Sequence, residues 1–200
     1  AASDVYKRQT WGEPSFGADS SDVDFSGGVS TIYSTSFAFA ALKNDGSVVT
    51  WGVSSLGGDS SGVDFSGGVS TIYSTSKAFA ALKNNGSVVT WGDRIRGGDS
   101  SGVDFSSGVR SIYSTSGAFA ALKNDGSVVT WGNPGAGGGI DLSPGVSTIY
   151  STTHAFAALK TDGSVVTWGN SSYGGDSGGV DLSSDVSSIY SNPYAFAALK

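Results

Sequence analysis

The sequence predicts an all-β fold, a β-propeller fragment of four-stranded antiparallel blades, and three observations carry that prediction. First, one line recurs along the 200 residues. It reads STSFAFAALKNDGSVVTWG at 34–52, STSKAFAALKNNGSVVTWG at 74–92, STSGAFAALKNDGSVVTWG at 114–132 and STTHAFAALKTDGSVVTWG at 151–169, and a fifth copy starts at 191. Second, Trp11, Trp51, Trp91, Trp131 and Trp168 are spaced 40, 40, 40 and 37 residues apart. A period of about 40 belongs to propellers and solenoids. Third, each copy places Asn-Asp-Gly, Asn-Asn-Gly or Thr-Asp-Gly between two short apolar runs, which is a strong hairpin signal.

The elements follow in order, with 69–105 as the type. Strand A is VSTIYS at 69–74, rich in β-branched and aromatic residues. Strand B is AFAALK at 78–83; its composition tolerates a helix, but six residues between Ser-Thr and Asn-Gly are too few for one. Strand C is SVVTWG at 87–92. Strand D, SSGVDF at 100–105, is weaker. B and C lack clean alternation, so both of their faces are buried, as they are between stacked blades. Trp and Phe then fill the gaps between blades. The shorter spacing is localised: GGDSSGVDFSSGV at 97–109 becomes GGGIDLSPGV at 137–146. Four complete blades occupy 26–182, with a trailing half-blade at 10–25 and a leading half-blade at 186–200. An open arc is expected. The alternative is a closed five-bladed ring, in which the strand of Trp11 pairs with 195–200.

Composition narrows the function. The chain is 38% hydrophobic and can bury a core, unlike a disordered Gly/Ser linker. Its net charge of −6 argues against a nucleic-acid surface and against an anionic membrane. No run of apolar residues is long enough for membrane insertion. With no cysteine there is no disulfide and no thiolate metal site. Residues 4–9, DVYKRQ, resemble a translated transposase-end sequencing adapter, so 1–9 are set apart as a non-native leader. Residues 10–200 are taken as a single repeat array from a metagenomic fragment, truncated at both ends, since there is no Met and the fifth copy stops at Lys200.

The phrase AALKNDGSVVTWG, followed by Gly-Gly, by GV..IYST and again by AFAAL, resembles the regulator-of-chromosome-condensation repeat family. The resemblance covers 11–200. The short repeat is most similar to that of the bacterial propeller β-lactamase inhibitory protein II. The resemblance implies a β-propeller, a family that typically closes seven blades. This chain departs from the family pattern at Gly57-Gly58-Asp59, where Gly-Gln-Leu-Gly is usual, and at Ala38, Ala78, Ala118, Ala155 and Ala195, where a His is common. Nucleotide exchange on a small GTPase is not expected of so acidic a chain.

No enzyme is expected. There is a single His and a single Glu, and no G-x-S-x-G elbow. DSSGVD at 59–64 and 99–104 pairs carboxylates five residues apart, but it matches no calcium loop. Asx-turns account for it better, so no cofactor or metal is expected. The Ile-Tyr pairs of strand A read as core packing more readily than as a sugar-lined channel. Between near-identical copies, variation concentrates at two places. One is the A–B connection, at Phe37, Lys77, Gly117, His154 and Tyr194. The other follows Trp-Gly and includes Phe16, Leu56, Arg94, Ile95, Arg96 and Tyr173. In an up-down blade the A–B and C–D loops share one face. Phe16, Phe37, Leu56, Lys77, Arg94, Arg96, His154, Tyr173 and Tyr194 are therefore expected to form a solvent-facing rim that binds a protein non-catalytically. Carbohydrate binding and a ligand-free structural array are the alternatives. Exposed blade edges invite self-association. A bacterial extracellular or cell-surface location fits this reading.

Overall fold

The computed structural model describes residues 9–200. Apart from Gln9, the leader-like segment at 1–9 lies outside the described residues. Four antiparallel three-stranded sheets succeed one another, followed by one two-stranded sheet. The first blade comprises β1 (Val29–Ser34), β2 (Ala38–Lys43) and β3 (Val48–Gly52). The second comprises β4 (Val69–Ser74), β5 (Ala78–Lys83) and β6 (Val88–Gly92). The third comprises β7 (Val109–Ser114), β8 (Ala118–Lys123) and β9 (Val128–Gly132). The fourth comprises β10 (Val146–Ser151), β11 (Ala155–Lys160) and β12 (Val165–Gly169). β13 (Ser188–Ser191) and β14 (Phe196–Leu199) form the last sheet. Strands A, B and C thus form where the sequence puts them.

Strand D is a correction. The expected fourth strand is a pair of turns. Asp59 Oδ1 accepts from the Ser61 amide and Asp64 Oδ1 from the Ser66 amide, each at 2.9 Å, while the Val63 amide bonds Ser60 O and the Gly68 amide bonds Phe65 O. Amides spent on local acceptors are lost to a ladder. Where the segment is shortened and Gly139 replaces the first Asp, a bridge does form, Val128 with Leu142. The expected Asx-turns are therefore present, and they are what suppresses the strand.

The B–C hairpin is a tight loop that demands glycine. The Lys43 amide bonds Ser47 O, the Gly46 amide bonds Lys43 O, and Gly46 has φ +83°. Asp45 is not left-handed, so this is a three-residue loop closed by a glycine bulge. Asp45 Oδ1 adds bonds from the amide and hydroxyl of Ser47.

Both faces of strand B are buried, as expected. In the second blade Phe79 lies opposite Trp91 and Ala81 opposite Val89. Phe79, Ala81 and Trp91 face the first blade and cluster with Ala38, Ala40 and Leu42. Ala78, Ala80 and Leu82 face the third blade and cluster with Phe119 and Trp131. Phe79 and Trp91 stack at 5.1 Å, and Phe65 of the preceding blade meets Trp91 edge-on at 5.3 Å. Ala fits where strands approach closely, and the Phe–Trp pairs fill the gaps. Tyr33, Tyr73 and Tyr113 pack on these clusters, which is the core-packing reading of strand A.

Neighbouring blades are also stitched by hydrogen bonds. The indole Nε1 of Trp51, Trp91, Trp131 and Trp168 donates to the carbonyl of Gly17, Gly57, Gly97 and Gly137 in the blade before, at 2.9–3.1 Å. Amides at the A–B turns form a chain: Ser36 to Ser76 O, Ser76 to Ser116 O, Ser116 to Thr153 O and Thr153 to Pro193 O. Pro193 has no amide proton to pass the chain on. At the other rim, the Val69, Val109, Val146 and Val186 amides bond the turn carbonyls of Gly46, Gly86, Gly126 and Gly163. There, too, buried Lys43, Lys83 and Lys123 reach across to Asp24, Asp64 and Asp104 at 3.7–3.8 Å.

The two half-blades remain apart. No strand forms at Trp11, and β14 pairs only with β13. Among the described residues no hydrogen bond joins 10–25 to 186–200, and the five-bladed ring is not closed.

Candidate binding rim

The rim starts from a scaffold common to all copies. After each Trp-Gly comes a short 3-10 turn: Pro14–Phe16, Ser54–Leu56, Arg94–Arg96, Pro134–Ala136 and Ser171–Tyr173. Each turn ends on a glycine with φ between +90° and +111°, a conformation open to Gly at little cost. Glu13, Asp93, Asn133 and Asn170 cap four of the five through a side-chain oxygen. The variable letters therefore sit on a fixed backbone.

The two variable loops of each blade are bonded to each other. The Val53, Asp93, Asn133 and Asn170 amides donate to the carbonyls of Phe37, Lys77, Gly117 and His154 at 2.8–3.0 Å. The Thr75, Thr115 and Thr152 hydroxyls donate to Arg96, Ala136 and Tyr173 carbonyls at 3.0 Å each. The A–B and C–D loops therefore lie on one face.

Side chains then link one blade to the next. Phe16 meets Phe37 edge-on at 5.3 Å, and Lys77 Nζ lies 5.6 Å from the Phe37 ring centroid, a cation–π distance. Arg96 lies across the next blade, with Nη1 3.0 Å from where a Cβ on Gly117 would sit. Gly117 and Ala136 are buried, so this blade forms a low notch between taller neighbours. Beyond it His154 packs on Tyr173 at 4.5 Å, and Tyr173 on Tyr194 at 5.6 Å. Leu56 belongs to the same face, half-buried in its 3-10 turn.

Phe16, Arg94 and Tyr194 are exposed, whereas Phe37, Leu56, Lys77, Arg96, His154 and Tyr173 are half-buried. Phe37, Lys77, Arg96, His154 and Tyr173 are held because each packs on a neighbouring loop. The rim is consequently a pre-formed surface rather than a fringe of mobile side chains.

Charge is uneven across it. Arg94 pairs with Asp99 at 2.8 Å, and Asp93 accepts from the Arg96 amide at 3.0 Å. Lys77 and Arg96 have no carboxylate within ion-pair distance among the described residues, on a chain of net charge −6. His154 Nε2 sits 3.0 Å from Ser116 Oγ, but its buried Nδ1 has no hydrogen-bond partner. A Ser–His pair without a carboxylate on the other nitrogen lacks the group that orients the imidazole for proton abstraction. The sequence did not single out Ser116, because the four complete copies all carry Ser or Thr there and only the fifth, with Pro193, departs. Ile95, which also varies after Trp-Gly, is two-thirds exposed between two arginines of the same turn.

No family model matches this chain, and no curated protein matches it in sequence. Solved structures do match it. Prp20p from Saccharomyces cerevisiae, described with its binding properties to Gsp1p and histones, superposes with a TM-score of 0.56 at 17% identity, covering 82% of this chain and 53% of its own. The same yeast RCC1 (Prp20) bound to Kap60 gives 0.55 at 17%, covering 82% and 52%. The CRINKLY WD40 ectodomain of the Arabidopsis thaliana receptor kinase ACR4 gives 0.51 at 19%, covering 71% and 50%. At such identities the likeness shows the fold, and that fold is an RCC1-like β-propeller. The chain spans about half the length of these proteins.

Proposed function

We propose that this propeller is a non-catalytic binding module whose A–B and C–D loop rim docks a protein partner. The observation that carries the proposal is the shared face. The residues that vary between otherwise repeated copies lie on one face and pack there in three groups, Phe16–Phe37–Lys77, Arg96 across Gly117, and His154–Tyr173–Tyr194. Aromatic and Arg side chains held in place this way are the usual binding anchors, because little side-chain entropy remains to be lost on binding. Prp20p, with its binding to Gsp1p and histones, and yeast RCC1 bound to Kap60 are propellers of this fold that bind proteins. The likeness to a receptor ectodomain supports a place outside the cell or at its surface. A bacterial origin and kinship with β-lactamase inhibitory protein II belong to the same proposal and rest on the short repeat.

A second reading, carbohydrate binding, is favoured by the His154–Tyr173–Tyr194 cluster, since aromatic faces can stack on sugars. A protein pull-down run beside a glycan array separates the two. Tyr173→Ala and Arg96→Ala should each weaken partner binding by roughly 2 kcal/mol, while the chain still folds and loses less in stability, because the aromatic contacts given up are worth about 0.5–1.5 kcal/mol. Glycan binding with no protein captured would replace the first reading with the second. Silence in both would leave a structural array.

A further inference from the structure

We infer that the third blade carries a carboxylate-binding notch, in which Arg96, laid across Gly117 and Ala136, receives one acidic side chain of the protein partner. The inference deepens the rim reading above and rests on it. Both variable positions of this blade are small, Gly117 on the A–B loop and Ala136 on the C–D turn. The blades on either side carry Lys77 and Arg96, or His154 and Tyr173, at the same two places. Gly117 and Ala136 are buried, and the blade before supplies the side chain that covers them. A Cβ on Gly117 would lie 3.0 Å from Arg96 Nη1, 3.3 Å from Arg96 Cδ and 3.4 Å from Ala136 Cβ. Stem and head of Arg96 therefore run along the floor of the notch. Ser116 Oγ and His154 Nε2, 3.0 Å apart, border it toward the fourth blade.

Arg96 is the described arginine whose donors are unspent. Arg94 and Arg110 are exposed, yet each finds an acceptor, the Asp99 carboxylate at 2.8 Å and Ser147 O at 2.7 Å. Arg96 is half-buried, and its guanidinium donates to no group among the described residues. A polar group with restricted access to water gains most from a partner. The floor has little to give it. The Gly117 amide donates to Thr115 Oγ1, and the Gly117 and Ala136 carbonyls already accept from the Asn133 amide and the Thr115 hydroxyl. Asp93 accepts from the Arg96 amide, and its carboxylate lies beyond ion-pair distance of the guanidinium.

A guanidinium presents paired N–H donors in a planar fork, which matches the two oxygens of a carboxylate. One free cation fits one negative charge. Lys77, the other rim cation without a carboxylate, is seated 5.6 Å from the Phe37 ring centroid, on the side of the first blade. A phosphate group, with up to about two negative charges, would therefore be undermatched in the notch. The net charge of −6 repels a broadly acidic surface. The notch thus fixes where a single acidic residue docks, which is a matter of register and specificity.

NMR titration of the isotope-labelled chain with small probes tests the notch apart from the partner. N-acetyl-glutamate N-methylamide should move the Arg96 Nε–Hε and Gly117 amide signals along a saturable curve. The glutamine and phosphoserine counterparts should bind at least about tenfold more weakly. The Arg94 signal, already engaged with Asp99, should hardly move. Gly117 does not have a positive φ, so Gly117→Ala strains no backbone, and it pushes the flexible guanidinium off the floor. It should keep a folded spectrum and weaken the glutamate probe at least about tenfold. Arg96→Lys keeps the charge but loses the fork, and it should do the same. An equal response to the glutamine probe, a stronger one to the phosphoserine probe, or one unchanged by Gly117→Ala or Arg96→Lys overturns the inference. The rim reading fails separately. A protein captured as well by Arg96→Lys as by the parent chain overturns the notch and leaves the rim, whereas a chain that binds the glutamate probe but captures no protein leaves the carboxylate site and overturns its protein source.

Discussion

At the scale of single residues, aspartate recurs as a turn-former. Asp125 accepts from the hydroxyls of Ser127 and Ser107 and from the Ser127 amide, and these bonds hold its carboxyl down at about 2. Asp181 is likewise held at about 2, first by the Ser183 hydroxyl and amide and then by Lys200. Asp45 and Asp162 are lowered by the Ser47 and Ser164 hydroxyls. A carboxyl lowered in the folded state leaves the unfolded chain binding more protons in acid, so stability rises with pH across that window. The stabilisation is complete above the ordinary value of 3.8 and is lost as pH falls through about 2. The melting temperature should therefore be flat at neutral pH and fall between about pH 4 and pH 2. Asn85 makes the same bonds to Ser87 with no charge to titrate. Asp125→Asn should thus fold normally and show a shallower acid limb in a pH series of thermal melts. An unchanged limb would remove Asp125 from the account.

Between elements, one threonine per blade ties the A–B loop to the C–D turn. Thr115 is buried; its Oγ1 accepts from the Gly117 and Ala118 amides and donates to Ala136 O at 3.0 Å. Thr115→Val keeps the shape but removes the oxygen, and it strands two amides and one carbonyl away from water. Unsatisfied buried groups cost about 1–3 kcal/mol each in general, and relaxation of the loop recovers part of that. Urea unfolding should show a loss of about 2 kcal/mol or more. Thr153, one residue beyond the aligned Thr152, offers a contrast, since only its backbone is used in the stitching, and Thr153→Val should be nearly neutral. The same element logic explains strand D. Two Asx-turns consume its amides in the 59–66 segment, and only the shortened 137–142 segment is free to bridge β9.

For the whole molecule, each blade finds its core only against its neighbours, so stability is distributed along a line. β5 and β8 are buried along all six residues. β13 and β14 are mostly exposed, and Ile32 on the first blade is 46% exposed where the equivalent Ile72 is 2% exposed. Local opening should be cheapest where fewest apolar contacts must break. Hydrogen exchange followed by mass spectrometry should find β14 exchanging first, β2 at an intermediate rate, and β5 and β8 last. Uniform protection across the five sheets would instead require one cooperative unit, which contradicts the linear account.

The sequence by itself determined the repeat, the limits of strands A and B, the glycine-closed turn between B and C, and the burial of both faces of strand B. These are local properties: β-branched residues set strand A, a short run apolar on both faces sets strand B, and a left-handed position admits little but glycine. The shared face of Phe37 and Leu56, or of Lys77 and Arg96, also followed from an up-down blade. Only the tertiary structure decided that the D segment is a pair of turns, that six of the nine rim side chains are half-buried, and that lysines such as Lys83 reach an aspartate 19 residues earlier. The chain of amides from Ser36 to Pro193 was equally hidden. It joins backbone groups about one repeat apart, and a backbone amide has no side-chain signature by which a sequence could announce its partner.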